Sequence, residues 1–79
     1  MAANPRLIEA LQANWHAEKT GAYTYRTLAE RELDPVRRQK LRLLAEAEEQ
    51  HSSLWAGRLH GFGMPEPTYR GKPSGEADS

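Results

Sequence analysis

The sequence predicts an all-α protein, an antiparallel helical hairpin that dimerises into a four-helix bundle. Two long stretches rich in Ala, Leu, Glu and Arg each begin at a capping residue followed by proline, Asn4-Pro5 and Asp34-Pro35, and neither has a proline in its interior. The chain has 79 residues and 8.9 kDa, with 38% hydrophobic residues and no cysteine. A domain this small buries little of its own surface, so without disulfides it needs a structural metal or a second copy.

The first helix runs from the Asn4 cap to about Leu33. Asn4 accepts from orphan amides of the first turn, and Pro5 has its φ pre-set for that turn. Gly21 is its one glycine. Asp34-Pro35 then repeats the start signal, because the residue before a proline leaves the helical region and Asp caps the helix beyond it. The second helix spans Val36 to His60 and stops at Gly61, with Gly63 and Pro65 just beyond. A tight turn makes the two helices antiparallel neighbours. Residues 4–61 form the expected domain. Residues 62–79, with Pro65, Pro67, Gly71, Pro73 and Gly75, read as a flexible Pro/Gly-rich tail that buries too little to order itself.

Charge and hydropathy narrow the function. Eleven Lys+Arg balance eleven Asp+Glu. The cluster Arg37, Arg38, Lys40 and Arg42, followed by Glu46, Glu48 and Glu49, reads as a solvated face, with no nucleic-acid partner. No apolar run approaches the ~20 residues of a membrane span, and no charged-then-apolar leader is seen. A soluble, cytoplasmic protein is expected.

On a helical wheel, Leu11, Trp15, Ala22, Tyr25 and Ala29 fall within about 60° of Glu18. Leu41, Leu44, His51, Ser52, Trp55 and Leu59 fall within about 60° of Glu48. Each apolar stripe therefore carries ionisable groups in its middle. A buried carboxylate is expensive unless paired or metal-bound. Counted from Asp34, the residues Glu18, Glu48 and His51 all lie roughly 21–26 Å from the turn, so an antiparallel hairpin brings them to one level. Carboxylate oxygen with imidazole nitrogen suits Fe, Mn or Zn. One hairpin supplies three ligands. Two hairpins about a two-fold axis supply four Glu and two His, which matches the di-iron carboxylate arrangement with two metals at the dimer interface. Tyr25, two turns along the face of Glu18, is placed to hydrogen-bond a ligand carboxylate of the partner chain.

Asn14-Trp15 leading to Glu18, Gly21-Ala22, Tyr25-Arg26, Leu28-Ala29, Asp34-Pro35, Leu44-Ala45 and Glu48-Glu49-Gln50-His51 resemble the rubrerythrin branch of the ferritin-like superfamily. The likeness covers roughly Leu7 to Gly61. It is strongest to two-helix members, namely encapsulated ferritins and the domain that precedes vacuolar-iron-transporter-type membrane domains in bacteria. The resemblance implies a ferritin-like bundle in which Glu18, Glu48 and His51 bind iron and carry out Fe(II) oxidation by O₂ or peroxide, in iron storage or homeostasis. It implies an encapsulin shell or a membrane transporter domain as partner. The alternative is a non-catalytic Fe- or Mn-sensing or delivery domain of such a transporter. A third reading is a metal-free dimerisation module. The rubredoxin-type cysteine domain of full-length rubrerythrins and a Gly-Ser-Leu-like docking peptide have no counterpart in these residues.

Other polar residues read more plainly. Trp15 and Trp55 are expected in the core, and His16 and His60 in solvent. Glu49 is expected to face solvent rather than feed the site. Glu32 shares the face of Glu18 but lies roughly 21 Å along the helix, too far for the same ion.

Overall fold

The computed structural model describes residues 4–69. Among them are two α-helices packed against each other, α1 (Pro5–Arg31) and α2 (Pro35–Gly61), of 27 residues each. Both N-termini are capped as the sequence predicts. Asn4 Oδ1 accepts from the Arg6 amide at 2.8 Å, and Asp34 Oδ2 accepts from the Arg37 amide at 2.8 Å. The turn is tied further by Glu32, whose carboxylate accepts from the Asp34 amide at 3.0 Å. Arg38 Nε donates back to the Glu32 carbonyl at 3.1 Å. α1 therefore ends at Arg31, short of Leu33, because Glu32 is already extended to make these bonds.

At the far end of α2 the stop residue is Gly63 rather than Gly61. Gly61 is the last helical residue, whereas Gly63 has φ of 80°. The Gly63 amide donates to the His60 carbonyl and the Met64 amide to the Leu59 carbonyl, both at 2.9 Å, closing a left-handed helix terminus that favours glycine.

The seam between the helices is narrow. It buries Leu11, Trp15, Ala22 and Ala29 of α1 against Ala45, Ser52 and Leu59 of α2. On α2 this line lies about 40° round from Glu48, away from the expected centre. Leu44, expected in the stripe, is 45% exposed, and Leu41 and Trp55 are only half-buried. Small Ala45 and Ser52 let the backbones approach, so they take the contact line and Leu44 is turned outward. Ser52 keeps its hydroxyl satisfied inside the seam by donating to the Glu49 carbonyl at 2.8 Å.

The expected tail falls mostly outside the described residues. Its described part returns to α1 at Tyr69, whose hydroxyl donates to Thr20 Oγ1 at 3.3 Å. The Tyr69 ring lies 6.5 Å from that of Trp15 and 6.3 Å from that of His16. His16 is consequently half-buried rather than solvated.

The cap at the turn has a measurable value. Asp34→Ala is expected to cost about 1 kcal/mol, a fall of about 4–8 °C in Tm for a domain this size. Melting by circular dichroism at matched protein concentration checks it, and an unchanged Tm would contradict the role assigned to Asp34.

Candidate metal centre

The two helices bring Glu18, Glu48 and His51 together on one rim of the seam. Each offers a ligand atom, and these atoms all lie within 4.8 Å of one another. His51 Nδ1 stands 3.4 Å from Glu48 Oε1 and 3.6 Å from Glu18 Oε2. The Glu-x-x-His spacing on α2 accounts for the first contact, one turn apart on one face. Antiparallel packing at equal depth accounts for the second. The wheel places these groups in the middle of buried stripes. The structure instead puts them at the edge, with Glu18 and Glu48 half-buried and His51 exposed, because the contact line on α2 is rotated toward Ser52.

This donor set fits a cation. Oxygen and nitrogen ligands about 2.0–2.2 Å from one ion stand about 3–4 Å from each other, the spacing that His51 keeps to both carboxylates. The ligand types suit Fe, Mn or Zn, and three protein groups leave coordination positions open. The electrostatics agree. Burial, and then the hydrogen bond and charge of Glu18 beside it, push the Glu48 carboxyl above its ordinary 4.5, while His51 partly opposes the rise. Two carboxylates brought together raise the affinity of the pair for a proton.

Trp55 belongs to this site, not to the core as expected. Its Nε1 donates to Glu18 Oε2 at 3.2 Å, which orients the carboxylate. A buried indole N–H usually finds a partner; Trp55 finds Glu18, whereas Trp15 Nε1 in the seam finds none among the described residues. Beside the cluster opens a cavity of about 270 Å³ lined by Glu18, His51, Leu54, Trp55 and Arg58. The Arg58 guanidinium carbon stands 4.9 Å from the Trp55 ring centroid.

The opposite rim carries a different arrangement. Glu49, expected in solvent, is half-buried and accepts from Lys19 Nζ at 2.7 Å and from Arg26. These hydrogen bonds, Lys19 first, hold its carboxyl below the ordinary value. On the rotated α2, a position 100° from Glu48 lies against α1 rather than away from it. Tyr25 is half-buried, about 10 Å along α1 from Glu18. It is not among the groups that converge within this chain. Glu32 is engaged at the turn, as its distance from Glu18 required.

Compared with protein-family models, with curated proteins and with solved structures, the chain matches none.

The two neighbouring glutamates have opposite pH signatures. Glu48, raised in the fold, favours the folded state fully below pH 4.5, and that contribution is lost as pH rises through its folded value. Glu48→Gln should therefore raise the Tm of the metal-free protein near pH 7 and leave it unchanged well below pH 4.5. Glu49, lowered in the fold, contributes above pH 4.5 and loses that contribution as pH falls through its depressed value. Glu49→Gln should lower the Tm near pH 7, through a stability loss of about 0.2–1 kcal/mol for so open an ion pair, and not at strongly acid pH. Melting curves across pH for both variants check this, and shifts of the same sign would contradict it.

Proposed function

We propose that two copies of the hairpin pair through the rim bearing Glu18, Glu48 and His51, and that the completed site takes Fe(II) as its substrate and oxidises it to Fe(III). The observation that carries this reading is the convergence of those three ligand atoms from two helices within 4.8 Å.

Surface chemistry on the same side supports pairing. His51 is flanked on α2 by Leu44, 45% exposed, and Leu54, 65% exposed, with Leu43 and Val36 continuing the apolar stripe toward the turn. A two-helix hairpin cannot cover such a stripe, and a copy related by a two-fold axis presents the same stripe to it. Pairing doubles the donors to four carboxylates and two imidazoles, with Tyr25 placed to reach a ligand of the partner chain.

Each residue then has a task. Glu18 and Glu48 offset the charge of the incoming ions, and His51 supplies the nitrogen donor. Trp55 N–H holds Glu18 in its orientation. Leu54 and the Trp55 ring exclude water from the wall of the cavity. Bound there, two Fe(II) supply one electron each to O₂, which with two protons leaves as hydrogen peroxide. Rigid helices keep the ligands in place throughout.

Anaerobic Fe(II) titration should find one ion per chain in a particle of about twice 8.9 kDa. Admission of air should then consume about one O₂ per two Fe(II). His51→Ala and Glu48→Ala should each abolish uptake. Stoichiometric binding without oxygen consumption would favour the sensing or delivery reading, and absence of bound Fe, Mn or Zn would reject both.

A further inference from the structure

We infer that Gly21 is a positioning residue for Glu48, its missing side chain being the space in which the Glu48 carboxylate is held; the consequence for metal binding rests on the metal-centre reading above.

Gly21 lies in the interior of α1, one turn beyond Glu18, where glycine is the least favourable helix residue short of proline. Neither a turn nor a positive φ requires it there. What requires it is contact. A Cβ at this position would overlap Glu48 Oε2 and come within 3.1 Å of its Cδ and 3.4 Å of its Cγ. The Glu48 side chain therefore lies over the bare backbone of α1, which puts its carboxylate beside Glu18 and in reach of His51.

An added methyl would meet the far end of a flexible side chain rather than backbone. Glu48 would swing outward, and the helices would keep their seam. Two effects then favour the metal-free fold: alanine prefers the helix, and the carboxylate of Glu48 withdraws from that of Glu18. The same withdrawal opposes metal binding, because a ligand has left the set. Stability and metal affinity are thus expected to move in opposite directions at this one position. Gly57, inside α2, is the matched control, because a Cβ there meets nothing within 4 Å.

Gly21→Ala and Gly57→Ala are to be compared with the wild-type chain by thermal melting without metal and by calorimetric titration with Zn²⁺, a redox-inert probe. Gly21→Ala should melt at or above the wild-type temperature yet bind Zn²⁺ about 10–100-fold more weakly, the usual effect of disturbing a ligand's support. Gly57→Ala should gain stability and bind as wild type does. Unchanged affinity in Gly21→Ala, or an equal loss in Gly57→Ala, would overturn the assignment. If the wild-type chain takes up no Zn²⁺, the metal-centre reading fails separately. The crystal structure of metal-free Gly21→Ala then decides the positioning role: a Glu48 carboxylate displaced from Glu18 supports it, and one left in place overturns it.

Discussion

Two carboxylates from different helices, Glu18 and Glu48, are held against each other at one rim of the seam. Lys19 and Arg26 both donate to Glu49 on the far rim of the seam, and Arg58, which lines the cavity beside Glu18, stacks on the Trp55 ring. His51 is the basic group that reaches them, and it stands 3.4 and 3.6 Å from the two acids. Burial, and then the hydrogen bond and charge of Glu18, raise the Glu48 carboxyl above its ordinary value, against the opposing effect of His51. A metal ion would turn the same closeness into a source of stability, because binding free energy at a folded site is also folding free energy.

The remaining structure imposes that closeness. The Asn4 and Asp34 caps set where each helix begins, and the Glu32 bonds fix the turn, which together determine depth. Ala22, Ala29, Ala45 and Ser52 make the seam thin, so groups on its rims meet across a short span. Consecutive residues then serve opposite rims. Glu18 and Glu48 face one another beside the cavity, whereas Lys19 and Glu49 form the ion pair behind them. That pair bridges the helices one residue away from Glu18 and Glu48.

Much of this could be read from the chain alone. Asn4-Pro5 and Asp34-Pro35 place both helix starts because capping is local chemistry. Glu18, Glu48 and His51 converge because helical rise and period are nearly constant, so equal depth and a common face translate into proximity. What periodicity could not decide was which part of a broad stripe becomes the contact line. Leu44 is more hydrophobic than Ala45, yet Ala45 is buried, since close packing of backbones outweighs side-chain hydrophobicity at a two-helix seam. The resulting rotation explains why Glu49 pairs with α1 and why Glu18, Glu48 and His51 sit at an edge. The roles of Trp55 and Tyr69 depend on partners 37 and 49 residues away, which no local pattern displays.

Two helices bury one side each, and the exposed Leu43, Leu44 and Leu54 around His51 mark a surface with more apolar area than a lone hairpin can use. The same surface bears the open side of the Glu18, Glu48 and His51 cluster, so the proposed assembly and the proposed metal binding share one face. Anomalous diffraction from crystals grown with Mn²⁺ tests this most directly. The account predicts an anomalous peak bounded by Glu18, Glu48 and His51 and lying where two chains meet. A metal held by other residues, or those three side chains directed into bulk solvent with the copies docked through another surface, would contradict it.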